Sequence, residues 1–143
     1  MKKCYAIRLK SNRSMENKPV TFTISGNPVP YLRMTQGQTK LMRIPDNRIS
    51  PAGLKIKERI RRYLTWKDWV YANAVKAMPY YDNSPKNKVY LDIMIYFESK
   101  VHGDADNIWK GIADAMFKSD KNVVGSFDFE FSKDNPRVEV KLT

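Results

Sequence analysis

The chain has 143 residues and one cysteine, Cys4, so it is long enough for a hydrophobic core but cannot form an internal disulfide. Its 26 Lys and Arg against 15 Asp and Glu give a net charge of +11, which favours a polyanionic partner such as nucleic acid. No apolar run approaches the roughly 18 residues that cross a bilayer, and the basic start Met1–Lys3 lacks the apolar run of a signal peptide. We therefore expect a cytoplasmic protein of one domain over residues 1–143, with 1–18 as a possible extra N-terminal segment.

The first predicted strand is Val20–Ile24, which alternates and is rich in β-branched residues. It ends at Gly26, before the segment Pro28-Val29-Pro30. Residues 31–49 are polar, basic and turn-rich, which favours a mobile surface loop with room for a short strand at Leu41–Ile44.

A long helix is predicted next. Ser50 is a suitable N-cap, Pro51 fits the first helical position, and apolar residues recur at helical spacing as far as Met78. Pro79 ends the helix. The first half of this helix is strongly basic, which gives it a surface suited to phosphate contacts.

The clearest strand is Val89–Phe97, where apolar residues alternate over nine positions. A turn at residues 102–106 leads into a second helix, predicted over 107–117. Phe127–Phe131 and Val138–Leu142 alternate again, and the turn between them predicts a terminal hairpin. Together the elements predict an α/β or α+β domain in which a mixed β-sheet packs with two main helices.

Acidic side chains precede the second helix, and a lysine follows them. Asp104 and Asp106 lie at its predicted start. At 100° per residue, Asn107, Lys110 and Asp114 fall on one side of the helix. Mg²⁺ prefers carboxylate oxygens together with water and phosphate oxygens, and it can activate water for attack at phosphorus. Lys110 would then stabilise the developing negative charge.

A purely structural interpretation accounts for the same residues. Asp and Asn before an apolar helix are common capping residues, and Lys110 with Asp114 would form an exposed pair worth about 0.3 kcal/mol. The high positive charge favours the metal interpretation, because a carboxylate cluster repels phosphate unless a cation is bound. Asp120, further along the chain, would fold back to complete the site.

Residues 104–116, D-A-D-N-I-W-K-G-I-A-D-A-M, resemble the D-x-D-N-x-x-K-x-x-x-D-A-L signature of the RusA family of Holliday-junction resolvases. Asp120, followed by Lys121-Asn122-Val123, is similar to a further aspartate of that family. Pro28-Val29-Pro30 resembles its Pro-x-Pro element. The resemblance covers about residues 20–142. It departs after Pro30, where Tyr31-Leu32-Arg33-Met34 stands in place of the family's Lys and Arg-Pro-Arg.

The resemblance implies a homodimer that makes paired symmetric nicks in a four-way DNA junction. It also implies a role in DNA recombination and repair and an origin in a prophage. It implies dependence on Mg²⁺, with Mn²⁺ able to substitute, 5′-phosphate ends, and no membrane or organic cofactor. The catalytic residues it implies are Asp104, Asp106, Lys110 and Asp120, of which the three aspartates hold the metal, with Asn107 and Asp114 in support. The candidate DNA contacts are Arg33, Lys40, Arg43, Arg48, Lys55, Arg59 and Arg62.

Two other functions stay open. A non-catalytic basic nucleic-acid binder, such as a phage or replication accessory, would bind DNA in a salt-dependent way with no effect of divalent metal. A Mg²⁺ enzyme acting on other phosphate esters is less well matched, because a phosphatase of the Asp-x-Asp-x-Thr type has Thr or Val where Ile108 stands. The sequence does not distinguish junctions from forks or flaps.

The aromatic residues and the single histidine also have two interpretations. Trp66, Trp69 and Trp109 would suit base stacking, but the helical spacing of Trp66 favours packing in the core or at a dimer surface. His102, two residues before Asp104, is expected to be a turn residue rather than a general base.

Overall fold

The computed structural model describes residues 19–100 and 102–143. The elements are β1 Val20–Ser25, α1 Gln36–Arg43, a 3₁₀ turn Asp46–Arg48, α2 Pro51–Ala77, β2 Val89–Phe97, α3 Ala105–Met116, β3 Val123–Val124, β4 Phe127–Phe131 and β5 Arg137–Leu142. The predicted α+β fold with a mixed sheet is confirmed, with three helices rather than two. The prediction for residues 1–18 lies outside the described residues. None of the helices described is both long and apolar enough to cross a membrane.

The strand β2 lies at the centre of the sheet. β5 pairs with it antiparallel on one side, and β1 pairs antiparallel with the far side of β5. β3 and β4 both run parallel to β2 on its other side. The predicted terminal hairpin is therefore wrong, since Ile93 of β2 pairs with Phe127 of β4 and with Val140 of β5. Inserting β2 between them satisfies the backbone groups of this buried strand on both sides, which a β4–β5 hairpin would not.

A glycine lets β3 and β4 share one side of β2. A Cβ atom on Gly125 would lie 1.8 Å from the carbonyl oxygen of Leu91, so no side chain fits there. The bend is held by Asp92, whose Oδ1 accepts hydrogen bonds from the backbone N and the hydroxyl of Ser126 at 3.0 and 2.9 Å. The close approach of the two backbones explains why this position is glycine.

One face of the sheet packs against α2 and α3 to form the core. The buried apolar residues of β2 alternate with more exposed ones, as the sequence pattern predicts. Trp66 of α2 is only 5% exposed and belongs to this core, so its predicted packing role is confirmed. Trp109 of α3 is partly buried, and its Nε1 donates a hydrogen bond to the carbonyl of Leu91 at 2.8 Å.

Residues 36–43 form helix α1, where a loop with a possible short strand was predicted. Thr35 and Gln38 build a capping box, in which each side chain accepts a hydrogen bond from the other's backbone N at 3.1 Å. This reciprocal pair satisfies two backbone donors at the start of the helix. The expectation of an irregular loop overlooked this local signal.

An ion-pair network ties the segment after α1 to α2. Lys57 is only 3% exposed, and its Nζ lies 2.7 Å from Asp46 Oδ1 and also donates to the carbonyl of Ile44. Arg61 adds two hydrogen bonds to the same carboxylate, at 3.0 and 3.2 Å. The hydrogen bonds from Arg61 and then Lys57 lower the pKa of Asp46 to about 2.

Candidate metal site and nucleic-acid interface

The acidic motif lies where the chain enters α3. Asp104 occupies the N-cap position, and its carbonyl accepts the first helical hydrogen bonds, from Asn107 N and Ile108 N, both at 3.1 Å. Its carboxylate, however, makes no capping hydrogen bond. Asp106 lies in the first turn, and both aspartates are exposed. The capping interpretation thus does not account for the Asp104 side chain, which is open to a ligand from solvent.

The Pro-x-Pro segment packs directly against this motif. A Cβ atom on Gly103 would lie 3.1 Å from Pro30 Cγ, so only a very small residue fits beside the proline ring. The backbone N of Tyr31 donates a hydrogen bond to the carbonyl of Asn107 at 3.0 Å. A Cβ on Gly111 would meet the Tyr31 backbone at 3.4 Å. Gly103 therefore gives Pro30 room beside the motif, and Gly111 lies at ordinary contact distance from Tyr31.

Asp114 faces α2 rather than Lys110. Its Oδ2 accepts a hydrogen bond from the Tyr63 hydroxyl at 2.8 Å and lies 3.0 Å from Lys67 Nζ. Burial raises the pKa of Tyr63, and the hydrogen bond to Asp114 raises it further. The exposed Lys110–Asp114 pair weighed above is not formed. Lys110 is exposed and has no ion pair with any residue that the structure describes.

Asp120 lies beyond the other end of α3. It follows the last turn at Met116, and its neighbours Lys118 and Ser119 donate hydrogen bonds to the carbonyl of Asn83. A helix of 12 residues is about 18 Å long. Across residues 19–100 and 102–143, no group of three His, Cys, Asp or Glu side chains is placed to hold a metal. One chain thus brings Asp104 and Asp106 together, but does not bring Asp120 to them.

Two arginines of α2 share a cavity with the motif. Arg59 and Arg62 line a space of about 400 Å³ together with Asp104 and Asn107. Arg62 and Val29 also line two adjoining cavities of about 500 and 420 Å³. These three cavities are called the Arg62 groove below. A further cavity of about 580 Å³ lies among β1, β2 and β5 and contains none of the predicted site residues.

The two groove arginines are available to an anion. Neither Arg59 nor Arg62 has an ion pair within the described part of the chain, although both are exposed. A free guanidinium can bind a phosphate through two parallel hydrogen bonds. Arg61, in contrast, is engaged with Asp46 on another face of α2. The groove therefore combines guanidinium groups with carboxylate oxygens at one end.

The other predicted DNA contacts are exposed and do not line the groove, although Arg33 directly follows Leu32, which does. They are Arg33, Lys40 and Arg43 at and before α1, Arg48 in the 3₁₀ turn, and Lys55 in α2. Lys40 and Arg43 belong to the last turn of α1, where a positive charge also favours the helix dipole. Their exposure is compatible with DNA contacts and equally with a solvated basic surface.

His102 packs within the turn before the motif. Its ring stacks on Phe97 with centroids 3.8 Å apart and planes 11° apart. Its Nδ1 lies 2.6 Å from the carbonyl oxygen of Gly103. Phe129 and Phe131 of β4 complete this aromatic group at 5.4 and 5.6 Å. These contacts agree with the expected turn role of His102.

The fold and the groove define a basic α+β protein that presents the carboxylate of Asp104 and two free guanidinium groups in one cleft, a combination suited to a nuclease. Comparison with protein families makes the assignment specific. Residues 26–143 match the family model described as Endodeoxyribonuclease RusA, and the chain belongs to this family. The family consists of endonucleases that resolve Holliday junctions. No curated protein matched the sequence.

Proposed function

We propose that this protein is a Mg²⁺-dependent endonuclease that resolves four-way DNA junctions by paired symmetric nicks. The observation that supports this best is the shared cavity in which Asp104 and Asn107 face Arg59 and Arg62. A carboxylate in a chain of net charge +11 weakens phosphate binding unless a cation lies between them. Family membership provides the reaction class.

The donor set at the start of α3 suits a hard divalent cation. Mg²⁺ is commonly held by one or two carboxylates, with water and substrate phosphate completing its coordination. Asp104 and Asp106 would hold the ion, because both are exposed and neither is engaged in capping or ion pairing. Mn²⁺ takes the same oxygen ligands. The bound ion would supply water activation and stabilisation of charge at phosphorus.

The remaining residues of the site bind and position. Arg59 and Arg62 would hold phosphates of the DNA strand in the groove. Lys110 lies one helical turn after Asp106 and is exposed, so its ammonium would neutralise charge on the leaving oxygen. Asn107 and Asp114 would support the site, since they fix α3 against the Tyr31 segment and α2 respectively. The expected products carry 5′-phosphate and 3′-hydroxyl ends.

Two symmetric nicks require two sites, which a homodimer provides through its twofold axis. Asp120 has a particular place in this proposal. Because one chain holds Asp120 near the far end of α3, a shared ion would require Asp120 of the second protomer. Loss of cleavage in Asp120→Asn would support such a shared ion, and wild-type cleavage would exclude Asp120 from the ligands.

The test uses a labelled four-way junction, a fork and a linear duplex, each with and without Mg²⁺. Asp106→Asn is expected to abolish cleavage of the junction and to preserve its binding. Asp134→Asn, an exposed aspartate in the turn before β5, serves as the matched control and should cut like wild type. Wild-type cleavage by Asp106→Asn would show that the assigned ligands are wrong.

A thermal melt separates the metal site from the chemistry. Ligands that bind only the folded state raise the melting temperature, so Mg²⁺ should raise that of wild type and not that of Asp106→Asn. Salt-dependent DNA binding by wild type, with neither cleavage nor any response to metal, would instead support a non-catalytic nucleic-acid binder.

A further inference from the structure

One end of the Arg62 groove is aromatic and has no role in the proposed chemistry. This cavity of about 420 Å³ is lined by Arg62, Trp66 and Trp69 of α2 and by the end of β1. The three α2 residues are spaced i, i+4 and i+7, so they lie along one face of the helix. Two helical turns, about 10 Å, separate Arg62 from Trp69.

Trp69 presents a fixed aromatic surface. Its indole Nε1 donates a hydrogen bond to the carbonyl of Ser25 at 2.8 Å, which sets the orientation of the ring. The side chain is nevertheless 45% exposed. A large aromatic ring that is held in place yet half open to solvent is suited to stacking on a planar ligand.

Trp66 carries a hydrogen-bond donor without an acceptor. The residue is only 5% exposed, and its Nε1 has no hydrogen-bond partner. It is the only buried side-chain nitrogen or oxygen without a partner among the residues described. This nitrogen has almost no accessible surface, so Trp66 contributes an apolar wall to the cavity and not a contact for an acceptor atom.

We propose that this cavity binds an unpaired nucleobase of the DNA strand whose phosphate lies on Arg62. This inference rests on the proposed function, because it requires that DNA lies in the groove. The base would stack on Trp69, and the indole of Trp66 would form the apolar floor of the cavity beside it. Arg62 connects the subsite to the motif, because it lines both this cavity and the one that contains Asp104.

The chemistry of the cavity distinguishes this ligand from a bare phosphate backbone. Phosphate contacts need only cations, whereas an ordered and half-exposed indole favours a planar group that can stack on it. Unpaired bases occur in single strands and at branch points that carry an extra nucleotide, whereas every base of a linear duplex is paired and must be flipped out before it can stack on a protein ring. The proposal therefore predicts a preference for DNA with unpaired bases.

The test measures binding without metal, in EDTA, so that no cleavage occurs. The probes are oligothymidylate, a four-way junction with an unpaired thymine at its branch point, and a linear duplex. Trp69→Ala should bind the first two about 10-fold more weakly, as expected for loss of one stacked base. Trp69→Phe keeps a ring but loses the hydrogen bond to Ser25, and should bind nearly as wild type.

Matched controls make each result decisive. Tyr71→Ala removes an exposed aromatic elsewhere on α2 and should change nothing, and duplex binding should be the same for every variant. Wild-type binding by Trp69→Ala would overturn the proposal, and so would equal weakening by Trp69→Ala and Trp69→Phe.

If Trp69→Ala does not fold, fluorescence decides instead. Oligothymidylate should quench the combined emission of Trp66 and Trp69, which both line the cavity, in a Trp109→Phe variant, and absence of quenching would overturn the subsite. Because every arm is run without metal, failure of the nuclease proposal gives a different pattern. In that event no form of the protein cleaves DNA, yet the Trp69-dependent preference for unpaired bases persists.

Discussion

Replacing Asp114 by Ala tests whether this motif residue acts on the phosphate or on the packing of α2 against α3. In the structure its Oδ2 accepts from the buried Tyr63 hydroxyl at 2.8 Å and contacts Lys67 at 3.0 Å. Asp114→Ala would leave the Tyr63 hydroxyl without an acceptor, although Tyr63 is only 3% exposed. We therefore expect a loss of stability and not a loss of chemistry.

The size of the effect follows from the two contacts. A hydrogen bond to a charged group contributes about 1.5–3 kcal/mol, and the lower value applies because the Asp114 side chain is 36% exposed. The ion pair with Lys67, itself 37% exposed, adds at most about 0.5 kcal/mol. The total of about 2 kcal/mol corresponds to a fall in melting temperature of roughly 6 °C for a chain of this size.

A double-mutant cycle isolates the hydrogen bond. Tyr63→Phe removes the hydroxyl. A variant with both substitutions therefore lacks the donor that Asp114→Ala alone leaves without an acceptor. The double variant should be more stable than the sum of the two single effects predicts, by about 1 kcal/mol. Thermal and urea melts of wild type and the three variants give this coupling.

The functional arm compares Asp114→Ala with Asp106→Asn below the melting temperature of each. Asp114→Ala should still cut the junction, because its contacts are with α2, and Asp106→Asn should not. An unchanged melting temperature or an additive cycle would show that the hydrogen bond does not join α2 to α3. Full folding with complete loss of cleavage would show that Asp114 acts directly in the reaction.

Two further predictions concern the sheet and the attachment of α1. Gly125→Ala should place a Cβ atom 1.8 Å from the Leu91 carbonyl oxygen. The resulting strain of about 3 kcal/mol should lower the melting temperature by roughly 10 °C. An unchanged melting temperature would refute this close approach. The pKa of Asp46 is lowered from 3.8 to about 2, so its contribution to stability is complete above pH 3.8 and is lost as the pH falls through about 2. The protection of α1 amides from hydrogen exchange, relative to the intrinsic rate at each pH, should therefore fall over that interval in wild type, and an identical pH response in Asp46→Asn would contradict the assignment.

The elements that were predicted correctly are those whose signal lies within the element's own residues, such as alternation or a capping residue. β2 was predicted with its observed bounds, Val89–Phe97, because one face of the strand is buried and the alternation is complete. The start of α2 follows from Ser50 and Pro51, and Ser50 Oγ indeed accepts from Gly53 N at 3.2 Å. α1 also had a local signal, the capping box of Thr35 and Gln38, which the polar composition of the segment concealed.

The incorrect prediction has a non-local cause. β4 and β5 are adjacent in sequence and separated by a turn, which is the pattern of a hairpin. The sequence pattern does not show that β2 pairs with one strand on each of its edges. Its residues Leu91, Ile93 and Ile95 are at most 5% exposed, so both of its edges need partners. Pairing across the whole sheet therefore overrode the local turn.

The same distinction applies to the candidate site. The spacing of Asp104, Asp106 and Lys110 indicated chemistry because those residues share one helix start. No spacing could show that Gly103 accommodates Pro30, or that Asp114 points to Tyr63, since these contacts join parts of the chain that are distant in sequence.

The packing of the site also separates two tasks within one short motif. On α3, Asn107, Gly111 and Asp114 face the Tyr31 segment and α2, and their groups are used in backbone, packing and hydrogen-bond contacts. Asp106 and Lys110 are exposed and unpaired within the described residues. Because α3 is fixed through the face that carries Asn107, Gly111 and Asp114, it can present Asp106 and Lys110 to solvent without an ion pair between them. In the proposed mechanism this leaves Asp106 free for a cation and Lys110 free for a phosphate.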